Sequence, residues 1–328
     1  MTYHREAYYD NAKWILILLV VFGHLISPIR NENPLLSTLY TTIYLFHMAG
    51  FILISGYFAK NFRKRGHLTK LAKKVLLPYV IFQVMYSVFY YAINVIKGEP
   101  AGFDYNLAMP HFTLWFLISL FCWNVLLYAY GRFPSWTVFV AFAAGLAIGF
   151  IDINKFLSIS RTFVFFPFFL LGYYLKPEFF QELRRLPLRL IGGTALLAML
   201  VLFYFYTPPH YTAWLECAYS YQHIGVPGWE GALIRLAQYA LMLSALFSFL
   251  TLVPARQLSI TVRGTRTLYV YLLHGFVIQL IRQFLPHRWY EALSPHLLVF
   301  IIPALVLTYM LTSRKTRKVA KPLVELRT

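Results

Sequence analysis

Lys13 and His24, near the start of the chain, have residue types and a spacing that could support chemistry inside a membrane. Lys13 ends a polar segment, and His24 lies in the apolar run that follows. In an α-helix this separation puts both side chains on one face, roughly 16 Å apart along the axis. If Lys13 lies at the membrane surface, His24 is near the middle of a hydrocarbon core about 30 Å thick. An imidazole at that depth indicates a functional group; the alternative is a histidine hydrogen-bonded between packed helices.

Two further histidines, His47 and His274, fall at a similar depth in other apolar runs. One face of the run around His47 carries, at a spacing of three to four residues, Tyr40, Tyr44, His47, Phe51 and Ser55. Gly56 follows them and allows close helix approach. Alternatively, these residues only pack against a neighbouring helix, and His47 is a structural histidine whose hydrogen bonds are made within the protein. His274 lies eight residues after Arg266, which also places it near mid-membrane.

Histidine is the most economical catalytic group that this sequence offers. It has no G-x-S-x-G elbow, phosphate-binding P-loop, H-E-x-x-H motif or cysteine pair for zinc, so we expect no metal site. A buried histidine can act as a general base. None of the twelve Asp and Glu residues falls at mid-membrane depth, so a hydroxyl or another histidine must orient His24. The absence of mid-membrane carboxylates also argues against a proton- or cation-coupled transporter, because such a protein usually places carboxylates within its spans.

Three arginines also lie inside apolar runs, toward the outer ends: Arg161, Arg235 and Arg282. We expect each of them to extend its side chain to the membrane interface. Arg161 differs from the other two because hydroxyl side chains surround it in sequence, at Ser158, Ser160 and Thr162.

The composition indicates a polytopic membrane protein, because 59% of the 328 residues are hydrophobic and only 13% are charged. We predict an all-α fold with about ten transmembrane helices in one domain, residues 1–328, which ends in a basic tail, 313–328. The predicted spans are residues 14–29, 36–59, 75–96, 112–130, 135–151, 157–175, 188–206, 231–252, 267–285 and 296–312.

In this arrangement of spans, loops rich in Lys and Arg alternate with loops that have few of them. The loop after the second span carries Lys60, Arg63, Lys64, Arg65, Lys70, Lys73 and Lys74. Because cytoplasmic loops are rich in Lys and Arg, this loop and both termini are predicted to be cytoplasmic. The same distribution accounts for the net charge of +18, so we expect contact with membrane lipids and none with nucleic acid.

The spacing of Lys13 and His24 resembles the acyltransferase-3 family of integral-membrane acyltransferases, and in particular its fucose 4-O-acetylase branch. The segments that carry the resemblance, in order, are YYDNAKWILILLVVFGHL, FHMAGFILISGYF, LWFLISLF, RTFVFFPFFLLGYYL and LYVYLLHG, between residues 8 and 275. The family commonly has arginine at the position of Lys13. Lysine keeps the charge but loses the bidentate fork of arginine.

The resemblance implies a bacterial cytoplasmic-membrane enzyme that transfers an acyl group from acetyl-CoA, or a related acyl-CoA, to a sugar hydroxyl. The acceptor would belong to a surface polysaccharide, a glycolipid or a lipid-linked precursor. His24 would be the catalytic base or would carry the acyl group transiently. The implied donor-binding residues are Lys13, Lys73, Lys74 and Arg266, although these charges also serve topology. The implied substrate-binding residues are His47, Ser55, Arg161 and His274.

Two other functions remain open from the sequence. A polysaccharide or glycolipid exporter would move its substrate without chemistry and would tolerate neutral replacements of His24. A structural membrane subunit would leave the three mid-membrane histidines unexplained. Self-association into a homo-oligomer is left open.

Overall fold

The structure is a computed structural model that describes residues 7–99, 102–208 and 210–325, and within these ranges the chain is helical, without a β-strand. Ten apolar helices are α1 (Ala7–Ile26), α2 (Pro34–Phe58), α3 (His67–Lys97), α4 (Trp115–Tyr130), α5 (Thr137–Ala147), α6 (Ile159–Tyr174), α8 (Leu186–Phe205), α11 (Trp229–Leu252), α13 (Thr267–Phe284) and α15 (Leu298–Leu311). The other helices are α7 (Pro177–Leu183), α9 (Tyr211–Glu216), α10 (Tyr221–Ile224), α12 (Thr261–Gly264), α14 (His287–Leu293) and α16 (Arg314–Val324). Single 3₁₀ turns are Ser27–Ile29, Ala59–Asn61, Ile148–Phe150 and Phe156–Ser158.

Several of these helices are long and apolar enough to cross a membrane. In the described residues, α1, α2, α3, α8 and α11 meet that condition, as does α6 together with the 3₁₀ turn before it; the bent pairs α13–α14 and α15–α16 bring the number to eight if each pair is one span. The shorter apolar helices α4 and α5 occupy the two remaining predicted spans. Each predicted span therefore coincides with a helix, while the count of ten and the side on which the termini lie stay predictions.

The predicted domain and tail extend past the described part of the chain. Residues 1–6, 100–101, 209 and 326–328 lie outside it, so the single-domain assignment stays a prediction. Within the described residues of the basic tail, Arg314–Val324 form α16, a helix that the sequence analysis did not address, and the chain bends by 66° between α15 and α16.

Helices α1 and α2 lie at the centre of the bundle. α2 packs against α1, α6, α8 and α11, and α1 also packs against α12, α13 and α15. Most residues of α1 and α2 are buried, whereas α8 and α15 expose most of theirs on an outer face. Apolar side chains all around a helix are typical of a helix in the middle of a bundle. The central pair therefore provides the fixed walls for any site between the helices.

Close contact between α2 and α6 depends on two glycines. A Cβ atom on Gly56 would collide with the backbone carbonyl of Phe169, and one on Gly172 would collide with that of Leu53. Small residues let helix backbones approach closely. The close approach predicted around Gly56 is confirmed, and it brings α6 next to the buried face of α2.

We expect Gly56→Ala to destabilise the protein by about 2 kcal/mol, because the methyl group overpacks a contact between two backbones. Thermal unfolding of the purified protein in detergent measures this as a lower Tm. Gly193→Ala in α8 is the matched control, since the nearest atom to its added Cβ is Leu252 Cδ2 at 3.9 Å. Equal Tm values for the two variants would contradict the packing assigned to Gly56.

Candidate active site

A cavity of about 420 Å³ lies beside α1 and α2 in the middle of the bundle. α1 lines it with Lys13, Ile17, Val20 and His24, and Ser27 from the 3₁₀ turn that follows α1 continues this row. These residues recur every three or four positions, so they form one continuous face of the helix. Lys13 and His24 therefore open onto the same cavity, as their spacing predicted.

The facing wall of the cavity comes from α2, with Tyr40, Tyr44, His47, Met48, Phe51 and Ser55. All five residues that the sequence placed on one face of this helix line the cavity. A short connection joins α1 to α2, and such helices run antiparallel. Ser55 consequently lies toward the Lys13 end of the cavity, and Tyr40 lies toward the Ser27 end.

The two ends of the cavity differ in their other residues. At the Lys13 end, Thr267 and Leu268 from the start of α13 complete the lining. At the Ser27 end, the lining includes Lys155, Arg161 and Glu216. Four of the lining side chains in the described chain are Lys or Arg and one is a carboxylate, so the cavity favours anionic ligands.

The Tyr44 hydroxyl orients the imidazole of His24. Tyr44 Oη lies 3.2 Å from His24 Nδ1. This contact requires a glycine at position 23, because a Cβ there would lie 2.9 Å from Tyr44 Cε2. When Nδ1 carries the proton and donates to Tyr44, Nε2 is left with a free lone pair. The orienting group is thus a hydroxyl, one of the two kinds that the sequence allowed.

Arg282 holds the backbone of His24. Its Nη2 donates to the His24 carbonyl oxygen over 2.6 Å, and its guanidinium carbon lies 5.5 Å from the centroid of the Phe112 ring. In a helix this carbonyl would accept from the N–H four residues later, but that residue is Pro28, which has none. Arg282 supplies the missing donor. The expectation that Arg282 extends to the interface is wrong, since it binds backbone at the cavity wall.

The other two histidines are held in one tautomer by their own helices. His47 Nδ1 lies 2.8 Å from the Ile43 carbonyl oxygen, and His274 Nδ1 lies 2.7 Å from that of Val270. A carbonyl only accepts, so Nδ1 donates in both rings and Nε2 carries the lone pair. His47 lines the cavity. His274 is fully buried behind it, 5.6 Å from His24 between ring centroids.

At the Ser27 end, Arg161 is held by Glu216, the last residue of α9, and by an aromatic ring. Its Nε donates to the Glu216 carbonyl oxygen over 2.9 Å, and its Nη2 lies 3.5 Å from the Glu216 carboxylate. The guanidinium carbon is 5.0 Å from the Trp115 ring centroid. Lys155 Nζ lies 3.6 Å from the same carboxylate. The sequence predicted that Arg161 extends to the membrane interface, whereas its side chain contacts Glu216 and Trp115 within the protein.

Arg235 also fails to reach the membrane interface, and the expectation for it is wrong. It is 1% exposed. Its Nη1 donates to Gln238 Oε1 over 2.7 Å and also contacts the Trp214 carbonyl oxygen and Cys217 Sγ. Because these polar atoms replace water, the guanidinium can remain buried. Arg235 thereby fixes the end of α9, which presents Glu216 to the cavity.

The residues predicted to bind the donor are spread over the surface around the Lys13 end. Lys13 lines the cavity and forms an ion pair of 2.6 Å with Asp10. Lys73 and Lys74 are exposed on α3 and do not line the cavity. Arg266 precedes the lining residue Thr267, and its Nη1 donates to the Thr312 carbonyl oxygen over 3.0 Å. Their role in binding a donor stays a prediction.

Sequence reasoning missed Arg282, Phe112 and Glu216 as cavity residues. Only Arg282 had a usable signal, because a proline four residues after His24 leaves a helix carbonyl that needs another donor.

A surface group of ligating atoms was also not anticipated. Oxygen and nitrogen atoms of Glu32, His287 and Glu291 lie within 4.8 Å of one another. All three residues lie outside the cavity lining, so they play no part in the site described above.

We expect Arg282→Leu to lower the free energy of unfolding by about 1–3 kcal/mol, because the His24 carbonyl is left buried without a donor. In a Pro28→Ala background the new backbone N–H can bond to that carbonyl, so the same substitution should be less destabilising. Thermal unfolding of the four proteins in this double-mutant cycle measures the coupling. An equal Tm decrease in both backgrounds would contradict the role given to Arg282.

Comparison with known proteins identifies the family of this chain. The family described as "Acyltransferase domain" matches residues 6–313. The nodulation protein NolL of Sinorhizobium fredii is 30% identical over 183 residues, which are 52% of this chain and 48% of that protein. NolL of Mesorhizobium japonicum is 28% identical over 181 residues, with the same coverage.

The chain spans about half the length of these curated relatives. No solved structure matches it. The family match covers nearly the whole chain and includes every helix that lines the cavity. This chain belongs to the acyltransferase-3 family.

Proposed function

We propose that this protein is an O-acyltransferase of the bacterial cytoplasmic membrane, with ten spans and both termini in the cytoplasm. It transfers an acyl group, normally acetyl, from acyl-CoA to a sugar hydroxyl of a cell-surface polysaccharide, a glycolipid or a lipid-linked precursor. The observation that carries the proposal is the His24 imidazole, which opens onto the cavity between the helices while Tyr44 contacts its Nδ1. Membership of the acyltransferase family supports the class of reaction.

The proposed reaction uses His24 first as a base and then as an acid. The acceptor hydroxyl oxygen attacks the thioester carbonyl carbon while His24 Nε2 accepts the hydroxyl proton. The carbon–sulfur bond breaks, and the imidazole returns the proton to the departing thiolate. The products are a sugar ester and the free thiol of CoA. While His24 is cationic, its Nδ1 proton can stay on the hydrogen bond to Tyr44 Oη.

The two ends of the cavity suit two different ligands. At one end, Lys13 and the surrounding basic residues favour the phosphates of an acyl-CoA. At the other end, Trp115, Arg161 and Glu216 combine an aromatic face with hydrogen-bonding groups of both kinds. A sugar offers an apolar ring face and hydroxyl groups, so we assign this end to the acceptor. His24 lies between the two ends.

His24→Ala should lower the rate of thiol release from acetyl-CoA by about 10²–10⁴-fold, because that is the range a positioned base typically contributes. Thiol release is followed with the purified protein in nanodiscs, with and without candidate sugars. His296→Ala removes an exposed histidine outside the cavity and should retain wild-type turnover.

If the folded wild-type protein binds no acyl-CoA and releases no thiol, the proposed acyltransferase function is refuted, and the exporter is favoured. Turnover that persists in His24→Ala would be consistent with the proposed acyltransferase function but would refute the catalytic role of His24.

Tyr44→Phe should lower turnover by about tenfold to a hundredfold, because Nδ1 loses the oxygen that orients the ring and stabilises its charge. Affinity for CoA should not change, since the hydroxyl contacts His24. Tyr128→Phe is the matched control, as that hydroxyl donates to the Phe62 carbonyl over 2.6 Å away from the cavity. Equal turnover of the two variants would contradict the orienting role of Tyr44.

A further inference from the structure

Four arginines from two parts of the chain gather beside the Lys13 end of the cavity. We call Arg263, Arg266, Arg314 and Arg317 the arginine cluster. The first two flank the junction of α12 and α13, and the last two lie in the first turn of α16. Arg314 and Arg317 are three residues apart, so they lie on one side of that helix.

Backbone contacts, rather than carboxylates, hold two members of the cluster. Arg263 Nη1 donates to the Tyr309 carbonyl oxygen over 2.9 Å, and its guanidinium carbon lies 3.3 Å from the centroid of the Tyr309 ring. Arg266 Nη1 donates to the Thr312 carbonyl oxygen. Arg266 Nε is buried and has no hydrogen-bond partner in the described chain. These contacts fix the guanidinium groups in position and leave donors unused.

The charge of the cluster is only partly balanced. Arg317 donates to the Glu325 carboxylate over 3.2 and 3.3 Å, and this hydrogen bond lowers the pKa of Glu325. Burial, followed by the charges of the other three arginines, lowers the pKa of Arg266. Within the described residues, the other three members of the cluster lack a carboxylate partner within 4.0 Å. Grouped cations of this kind repel one another until an anion binds between them.

The cluster borders the cavity through α12. A Cβ on Gly264 would collide with the backbone of Asp10, so α12 lies directly against the first turn of α1. Asp10 pairs with Lys13, which lines the cavity. On the other side, Arg266 is followed by the lining residues Thr267 and Leu268. A ligand bound to the cluster is therefore next to the Lys13 end.

We propose that the arginine cluster is a phosphate-binding site at the Lys13 end of the cavity, half of which is supplied by the tail helix α16. Guanidinium groups bind phosphate through paired hydrogen bonds, which suits them better than lysine for this ligand. The family match ends at residue 313, so α16 adds Arg314 and Arg317 from outside the matched region. The phosphate belongs either to an acyl-CoA, which rests on the proposed function, or to an anionic phospholipid.

The test compares Arg266→Gln and Arg314→Gln with Lys315→Gln. Lys315 is exposed and adjacent to Arg314 in α16 but points about 100° away from it, so it controls for the lost charge. One arm titrates the full-length protein in detergent with CoA by calorimetry. The other arm measures retained phosphatidylglycerol by native mass spectrometry. Thermal unfolding shows that the variants are folded.

Loss of a charge-assisted contact should weaken binding about tenfold in Arg266→Gln and in Arg314→Gln, with little change in Lys315→Gln. A selective loss in the CoA arm identifies the donor as the ligand, and one in the lipid arm identifies the phospholipid. If Arg314→Gln and Lys315→Gln behave alike in both arms, the phosphate site is refuted.

The same experiment separates this site from the proposed function. Wild-type protein that binds CoA, with no selective effect of the cluster variants, refutes the site and leaves the acyltransferase in place. Wild-type protein that binds no CoA but retains phosphatidylglycerol through the cluster supports the site and refutes the donor assigned above.

Discussion

A polar atom buried between apolar helices costs free energy unless it has a hydrogen-bond partner inside the protein, because lipid offers none. The surroundings of His24 follow from this requirement. Tyr44 contacts its ring nitrogen, and Arg282 binds its carbonyl in place of the N–H that Pro28 lacks. The same requirement holds His47 and His274 against carbonyls of their own helices. In these two rings Nε2 is the nitrogen left with a lone pair, and it is the atom that we assign to proton transfer in His24.

Hydrogen bonds between side chains of different helices form only where the helices lie close together. Glycine allows this close approach at two places. Gly23 gives the Tyr44 ring room beside His24, and Gly56 lets α6 approach α2. The second contact supports the helix that carries Arg161. Packing of the central helices and geometry of the site are therefore parts of one arrangement, in which a methyl group at either glycine would shift a wall of the cavity.

Much of this site was predictable from local periodicity. The separation of Lys13 and His24 identified the lining face of α1, and steps of three and four residues identified that of α2, because a helix face depends only on neighbouring residues. Contributions from distant segments had no such signal. Phe112 and Glu216 reach the cavity from a loop and a short helix, and only tertiary packing brings them there. The arginines predicted to reach the interface were misplaced, since a sequence does not show which buried carbonyls a guanidinium will meet.

A structure of the protein with CoA bound would test the central claim most directly. We predict that the CoA phosphates lie at the Lys13 end and that the sulfur lies within hydrogen-bonding reach of the His24 imidazole. A CoA bound outside the cavity, or one whose sulfur lies far from His24, would contradict the assignment of His24 as the group that transfers the proton.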